Sequence, residues 1–293
     1  MTKIVIIGAG SGFGARLSVD VMSREALQDA TIALCDIHEG RLRPVAQYVR
    51  RTAERYQLPT RVIASTDRKE LLPGADFVIT SIAAGGGAYW GEPFRWEIEI
   101  PRKYGIDQPV GDSFGPGGIF RGLRSIKALQ AIARDMHRLC PDALFIQYAN
   151  PMAINSWAMS CLGIENIGLC HSVQGTSRML ARELHLPYER CSFISAGLNH
   201  QAWFLDFRCD GIDVMPLLRK TMMEKHLAGR DLGERDDDVH GGGPERVRTE
   251  IMRLTGYFQT ESSHHASEYL PSVSYTHLRA HETSLHLVCR LLL

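Results

Sequence analysis

The feature that most constrains this chain lies at its start. An apolar run, Lys3–Ile7, leads straight into Gly8-Ala9-Gly10-Ser11-Gly12-Phe13-Gly14, and a helical pattern follows over residues 15–26. Strand, glycine-rich turn and helix in that order make the phosphate-binding corner of a dinucleotide fold. The first glycine permits the tight turn, the second lets the backbone approach a pyrophosphate, and N–H groups at the helix start face the phosphate charge. The third glycine of G-x-G-x-x-G would fall on Phe13, so Gly12 or Gly14 has to take the packing role. A plain βα turn is the competing reading, and the next strand weighs against it. Residues 31–36 are apolar and end in Asp36. A carboxylate there can accept a hydrogen bond from a ribose 2′-hydroxyl and disfavours a 2′-phosphate. The motif therefore points to NAD rather than NADP, held by Gly8, Gly10, Ser11 and Asp36.

Further strands are expected at 61–65, 75–82, 143–148 and 166–169, with helices at 41–56 and 119–139 among them. Strands alternating with helices predict an α/β fold, a Rossmann-type doubly wound parallel sheet. The pattern then changes to a helix at 177–185, strands at 193–198 and 202–208, the last read as antiparallel, and more polar helical segments from 213 on. This predicts an incomplete α+β substrate domain. The division expected is 1–165 for the dinucleotide domain and 166–272 for the partial catalytic domain. Residues 229–243, charged and glycine-rich, read as a loop. The tail, 273–293, reads as non-native, because VSYTHLRAHET at 273–283 matches one frame of a common transposase sequencing adapter. His277 and His281 are excluded on that ground, although four-residue spacing suits a metal-binding pair on a helix.

Composition narrows the partners. Thirty-three basic residues balance 33 acidic ones, so nothing draws the chain to nucleic acid or to an anionic membrane. No apolar run reaches the ~18–20 residues of a membrane helix. The N-terminus goes directly into the first strand, too short a lead for a signal peptide. Seven cysteines, an odd number without a paired framework, fit reduced thiols in the cytoplasm.

Three polar clusters follow expected strands: Asn150-Pro151, Cys170-His171-Ser172 and Asn199-His200. In open α/β sheets ligands bind outside the carboxyl ends of strands, so all three are expected near a nicotinamide ring. A thiolate and an imidazole can share a metal and leave positions open for water and substrate. Each residue also has a bland reading: a buried cysteine packed as a small hydrophobe, a hydrogen-bonded structural histidine, a turn asparagine. The stretch 111–118, Gly-Asp-Ser-Phe-Gly-Pro-Gly-Gly, reads as a loop that a ligand can approach closely. Arg121 and Arg124 stand three apart on the following helix, and at least one of them reads as a solvated charge.

Longer motifs carry a resemblance. They are Asp36-Ile37, GPGGIFRGLR at 115–124, CPDA at 140–143, NPMAINSWAM at 150–159, GLCHSVQGT at 168–176, GLNH at 197–200, and GYFQTESS with HASEY between Gly256 and Tyr269. On these the chain resembles family-4 glycoside hydrolases, and among them the melibiase-type α-galactosidases, over residues 1–271. The resemblance implies NAD- and metal-dependent cleavage of an α-glycoside, a known exception to two-carboxylate glycosidases. NAD⁺ takes hydride from sugar C3, the resulting ketone acidifies the C2 proton, the aglycone leaves by elimination, and water and hydride are returned.

The resemblance also implies site residues. Cys170 and His200 match the metal ligands. Ligand softness alone favours zinc for such a pair, whereas the family implies Mn2+. No third strong protein ligand is evident, so the ion is expected to bind weakly and to lean on substrate oxygens and water. Asn150, Asp112 and Arg121 are assigned to the substrate. His171 stands where phospho-glycosidase relatives carry an aspartate thought to be the general acid, which argues against a 6-phosphorylated sugar. Tyr269 lies near the position of the tyrosine base of some relatives. The substrate expected is an α-galactoside, with α-galacturonidase or α-glucosidase activity, or a simple NAD-dependent dehydrogenase, as alternatives. A full-length version is expected to be a homo-oligomer. A chain cut near residue 272 would lack part of the substrate pocket, and a product no longer active is a third reading.

Overall fold

The computed structural model describes residues 1–85, 92–106, 108, 110–111, 113, 115–227 and 245–269. The expectations for Asp112, for the loop at 229–243 and for the tail from 273 fall outside the described residues. The chain divides into two compact units, 1–99 with 112–169, and 100–111 with 170–293. The changeover therefore follows Leu169 rather than residue 165, and a short segment before the glycine-rich stretch joins the second unit.

The first unit is a six-stranded parallel sheet in the order β3-β2-β1-β4-β5-β6. Its strands are β1 (Lys3–Ile7), β2 (Thr31–Cys35), β3 (Arg61–Ser65), β4 (Phe77–Thr80), β5 (Leu144–Gln147) and β6 (Asn166–Gly168). The intervening helices are α1 (Gly12–Met22), α2 (Glu39–Arg55), α3 (Arg68–Leu71), α4 (Phe94–Lys103), α5 (Gly115–Leu139) and α6 (Met152–Cys161). Order 3-2-1-4-5-6 is that of the doubly wound dinucleotide fold, whose strand order reverses between β1 and β4. Side chains alternate across a strand, and β1 accordingly feeds two cores. Val5 and Ile7 pack with Leu129, Ile132 and Met136 of α5 and Met159 of α6. Ile4 and Ile6 pack with Met22 of α1 and Leu42, Ala46 and Val49 of α2. Burial on both faces is why the strands read as continuous apolar runs rather than alternating ones.

One expectation is corrected. Residues 111–118 do not form a loop throughout, because Gly115 to Gly118 make the first turn of α5. Proline near the start of a helix costs nothing, since its missing N–H would lack an intrahelical partner there. Gly117 and Gly118 are buried. A Cβ on Gly118 would stand 2.9 Å from the Ser113 carbonyl carbon, so glycine here serves close packing rather than looseness.

The second unit holds α7 (Ser172–Glu183), the strands β7 (Cys191–Leu198), β8 (Gln201–Cys209) and β9 (Ile212–Asp213), and the helices α8 (Met215–Leu227), α9 (Arg246–Thr255) and α10 (Ser263–Glu268). The strands form an antiparallel sheet in chain order. Phe204, Phe207, Leu180, Leu218, Met222 and Phe258 fill its core. No described helix is long and apolar enough to cross a membrane.

Candidate metal centre and dinucleotide corner

The glycine corner is built as its sequence demands. Gly8 has φ +86°, and a Cβ there would lie 2.4 Å from the Ser81 carbonyl oxygen. The N–H groups of Gly8 and Ala9 both donate to the Cys35 carbonyl at 2.9 Å, tying the turn to the end of β2. Ser11 caps α1 by accepting from the Phe13 N–H, and its hydroxyl meets that of Ser81 at 2.6 Å. The packing glycine is Gly14: a Cβ there would sit 1.9 Å from the Ala9 carbonyl oxygen, whereas one on Gly12 meets nothing within 4 Å. Phe13, in the usual glycine place, turns outward and lies 6.2 Å from the Tyr148 ring.

Asp36 does more than end a strand. Its Oδ2 accepts the Gly10 N–H and its Oδ1 the His38 N–H, each at 2.9 Å. A Cβ on Gly10 would press on Asp36 and on Arg41. The acid thus holds the glycine turn against β2, and each carboxylate oxygen retains acceptor capacity for a hydroxyl. Gly8, Gly10, Ser11 and Asp36 lie together, a cradle without side chains over the turn and with an acid at its rim. These residues fit a dinucleotide.

Asn150 lies three residues beyond β5, in a turn held by buried amides. Gln147 and Asn155 both donate to the Ala149 carbonyl at 3.0 Å. Arg121 is engaged within its own unit. It and Arg124 both pair with Glu97, a carboxylate only 5% exposed, and the Arg121 guanidinium stacks 4.5 Å from the Phe94 ring. Neither arginine is the solvated charge that the spacing allowed, and burial holds the Arg124 guanidinium below its ordinary pKa.

In the second unit the Cys170 thiol and the His200 ring come together, and a third group meets them. The ligand atoms of Cys170, His200 and Glu261 all lie within 4.8 Å of one another. Glu261 Oε2 is 3.9 Å from Cys170 Sγ and 3.5 Å from His200 Nε2. Local structure explains how residues so far apart in sequence converge. His200 sits in the turn between β7 and β8 with φ +63°. It does not follow a strand of the parallel sheet, as the sequence led one to expect, but belongs to the antiparallel one. Residues 258–260 run along β8: Phe204 N–H donates to Phe258 O and Thr260 N–H to Ala202 O, both at 2.9 Å. This pairing carries Glu261 past the hairpin turn. The Thr176 hydroxyl on α7, the helix that starts just after Cys170, donates to the Thr260 carbonyl at 2.6 Å.

A buried ion pair grips the same strip. Arg248 and Glu245 pair with side chains 4% and 6% exposed. Arg248 also donates to Thr176 Oγ1 at 2.9 Å and to the Gln259 carbonyl at 3.4 Å, while Ser263 donates to Glu245 at 3.0 Å. Charges this deep are tolerated because each is paired and hydrogen-bonded.

The electrostatics suit a cation. Burial pushes the Cys170 thiol up and the Glu261 charge adds to this, but the His200 hydrogen bond and charge and the Ser172 hydroxyl outweigh both, leaving the thiol below its ordinary value. Burial likewise raises Glu261, and the charges of His265 and His200, the Ser262 N–H and Ser172 bring it below the usual carboxylate range. His265 stacks edge-on against His200 at 4.3 Å and lies 3.8 Å from Glu261. A soft sulfur, an imidazole and a carboxylate around one point fit a divalent ion. The motif GYFQTESS contains Glu261, but nothing in its own spacing marks that residue. The contact lies 91 residues from Cys170, and no local spacing signals it. His171, half-buried, holds the N-cap position of α7 without a side-chain capping bond, and Tyr269 holds the C-cap position of α10.

The first unit thus carries a doubly wound sheet with this glycine corner, and the second carries a meeting of thiol, imidazole and carboxylate. The chain belongs to family 4 of the glycosyl hydrolases: the family model "Family 4 glycosyl hydrolase" matches residues 3–186, and the model of its C-terminal domain matches residues 195–287. It is 38% identical over 274 residues to an α-galactosidase of Rhizobium meliloti (strain 1021), covering 92% of this chain and 52% of that protein. It is 37% identical to an α-galactosidase of Bacillus subtilis (strain 168), covering 92% and 60%. The chain thus spans between half and three fifths of the length of these relatives. Among solved structures it resembles lplD from Bacillus subtilis, with TM-score 0.81 at 26% identity over 99% of this chain and 72% of that one. A 6-phospho-alpha-glucosidase from gut microorganisms, solved with NAD and Mn2+, shares the fold with TM-score 0.78 at 21% identity over 99% and 67%.

Proposed function

We propose that this chain serves the hydrolysis of α-galactosides by oxidation at sugar C3, loss of the C2 proton, elimination of the aglycone and return of water and hydride. When bound, NAD⁺ supplies the hydride acceptor and Mn2+ a positive charge for the C2 and C3 oxygens. The residues do the rest. Gly8 and Gly10 open the backbone to the pyrophosphate, Ser11 starts the helix whose N–H groups face it, and Asp36 accepts a ribose hydroxyl. Cys170 and His200 hold the ion. Asn150, Asp112 and Arg121 are assigned to the sugar, His171 to protonation of the leaving oxygen and Tyr269 to removal of the C2 proton. The observation that carries this reading is the meeting of the Cys170 thiol and the His200 ring, a pair that a metal-free dehydrogenase of the malate or lactate kind, working through a histidine–aspartate pair, has no use for. The α-galactosidase relatives support the choice of sugar over uronide and glucoside.

Two further features belong to the reading. Ile119, Phe120 and Leu123 lie along α5 and Trp157 on α6, all more than half exposed within their unit, which supports assembly with a second copy. The six described cysteines are all free, which supports a reducing, cytoplasmic setting.

The test is turnover of nitrophenyl α-galactoside, α-galacturonide and α-glucoside, each with and without NAD, Mn2+ and chelator. Galactoside cleavage that needs both NAD and Mn2+ is expected. Cleavage unaffected by chelator, or confined to the galacturonide, overturns the mechanism or the sugar respectively.

A further inference from the structure

We infer that Glu261 is a third protein ligand of the divalent ion, and that its carboxylate lets this centre hold manganese before any sugar arrives. The inference rests on the reading of Cys170 and His200 as ligands. With only those two donors an ion would lean on substrate oxygens, and thiolate with imidazole would favour zinc. A carboxylate changes both properties. It adds a charged oxygen donor, the type that suits manganese, and it raises the count of fixed donors to three.

The geometry assigns Glu261 to the ion rather than to a structural partner. Donor atoms bound at about 2.0–2.3 Å to one ion stand roughly 3–4.5 Å from each other. Glu261 Oε2 meets that requirement toward both Cys170 Sγ, at 3.9 Å, and His200 Nε2, at 3.5 Å. The His200 separation is longer than an ordinary N–H···O bond, and the Cys170 contact is only a long S–H···O one, so neither partner saturates this oxygen. The other oxygen, Oε1, accepts the Ser262 N–H at 3.0 Å and faces His265 Nδ1 at 3.8 Å. That support orients the carboxylate as a hydrogen-bonded ligand is oriented. The backbone is fixed as well. Thr260, the preceding residue, is bonded through its N–H to β8 and through its carbonyl to α7, the two elements that lead to the other donors. Glu261 is only 12% exposed, so its carboxylate is held in place beside the other two donors rather than left to solvent.

The experiment is a manganese titration of the whole chain followed by electron paramagnetic resonance of the free ion, without and then with methyl α-galactoside, and repeated with zinc in competition. The wild type is expected to bind one Mn2+ without sugar, and Cys170→Ser to lose it. Glu261→Gln, which keeps the shape and removes the charge, is expected to weaken Mn2+ by at least about tenfold while weakening Zn2+ less. Glu261→Asp should recover part of the loss, and unchanged far-ultraviolet dichroism checks that each variant folds. If Glu261→Gln binds Mn2+ as the wild type does while Cys170→Ser does not, the carboxylate is no ligand and the proposal falls, with the two-ligand reading intact. If Cys170→Ser also binds as the wild type does, the metal reading itself is wrong. If the wild type binds Mn2+ only with sugar present, the proposal falls too.

Discussion

Replacing Gly14 by alanine and, separately, Gly12 by alanine asks which glycine lets α1 pack under the dinucleotide turn. A Cβ on Gly14 would stand 1.9 Å from the Ala9 carbonyl oxygen and 2.7 Å from its carbonyl carbon, both backbone atoms that cannot swing aside. Relief requires the turn and the helix to part by more than an ångström. Overpacking of a filled site costs about 1–3 kcal/mol and more where backbone must move, and alanine returns at most about 1 kcal/mol of helix propensity. A net loss of about 2–3 kcal/mol is expected. At roughly 2–4 °C per kcal/mol for a unit of this size, Gly14→Ala should melt about 5–10 °C lower. Gly12 meets nothing within 4 Å, so Gly12→Ala should melt at the wild-type temperature or slightly above it. The assay is thermal unfolding by dichroism, with NAD affinity by calorimetry as a second reading. NAD should weaken in Gly14→Ala, because the displaced turn carries the phosphate-facing N–H groups. Equal melting temperatures for the two variants, or a lower one for Gly12→Ala, would refute the assignment of Gly14 as the packing glycine.

Asp36→Ala should weaken NAD by about tenfold or more, since charge-assisted hydrogen bonds are worth roughly 1.5–3 kcal/mol each, and should weaken NADP less, because room for a phosphate opens; equal losses for both would leave Asp36 a loop holder alone. Cys170 should react with iodoacetamide at neutral pH ahead of Cys35, Cys140 and Cys191, whose thiols burial pushes up. Its folded-state value is lowered, so the thiolate fraction persists as pH falls below the ordinary thiol range, and Mn2+ should protect it; peptide mass mapping reads both. Arg248→Met leaves Glu245 buried without its cation and should cost about 3–5 kcal/mol in urea unfolding, and the companion change Glu245→Leu should restore part of it.

Much of the fold was legible because the parallel strands are buried on both faces and read as apolar runs between turn residues. Residues 3–7 and 61–65 were expected as strands and are strands with those bounds. The antiparallel strand after the GLNH motif was read within a residue at each end. The turn at Gly115 misled, because glycine and proline punctuate loops and also start helices that must lie close to a neighbour. The corner residues Gly8, Gly10, Ser11 and Asp36 could be read because they lie within one βαβ unit, where spacing maps directly onto geometry. The meeting of Cys170 with His200 was expected from their places after strands and from residue motifs, whereas Glu261 beside them was not singled out. Its approach is set by the pairing of residues 258–260 with β8, and edge pairing between distant segments leaves no periodic trace. The burial of Glu97 with both arginines was illegible for the same reason, since a charge reads as solvent-exposed until its partners are known.

The riveting of Thr260 between β8 and α7 has a consequence for the life of the chain. Donors 91 residues apart meet only when that strip is docked, so an unfolded chain offers no comparable chelate. An ion taken up there would act as a reversible cross-link across a long loop. It would favour the folded form by about 2.7 kcal/mol when present at a hundred times its dissociation constant. Metal supply would then govern how long the second unit survives proteolysis as well as how fast it works, and starvation for the ion would deplete the protein as well as silence it.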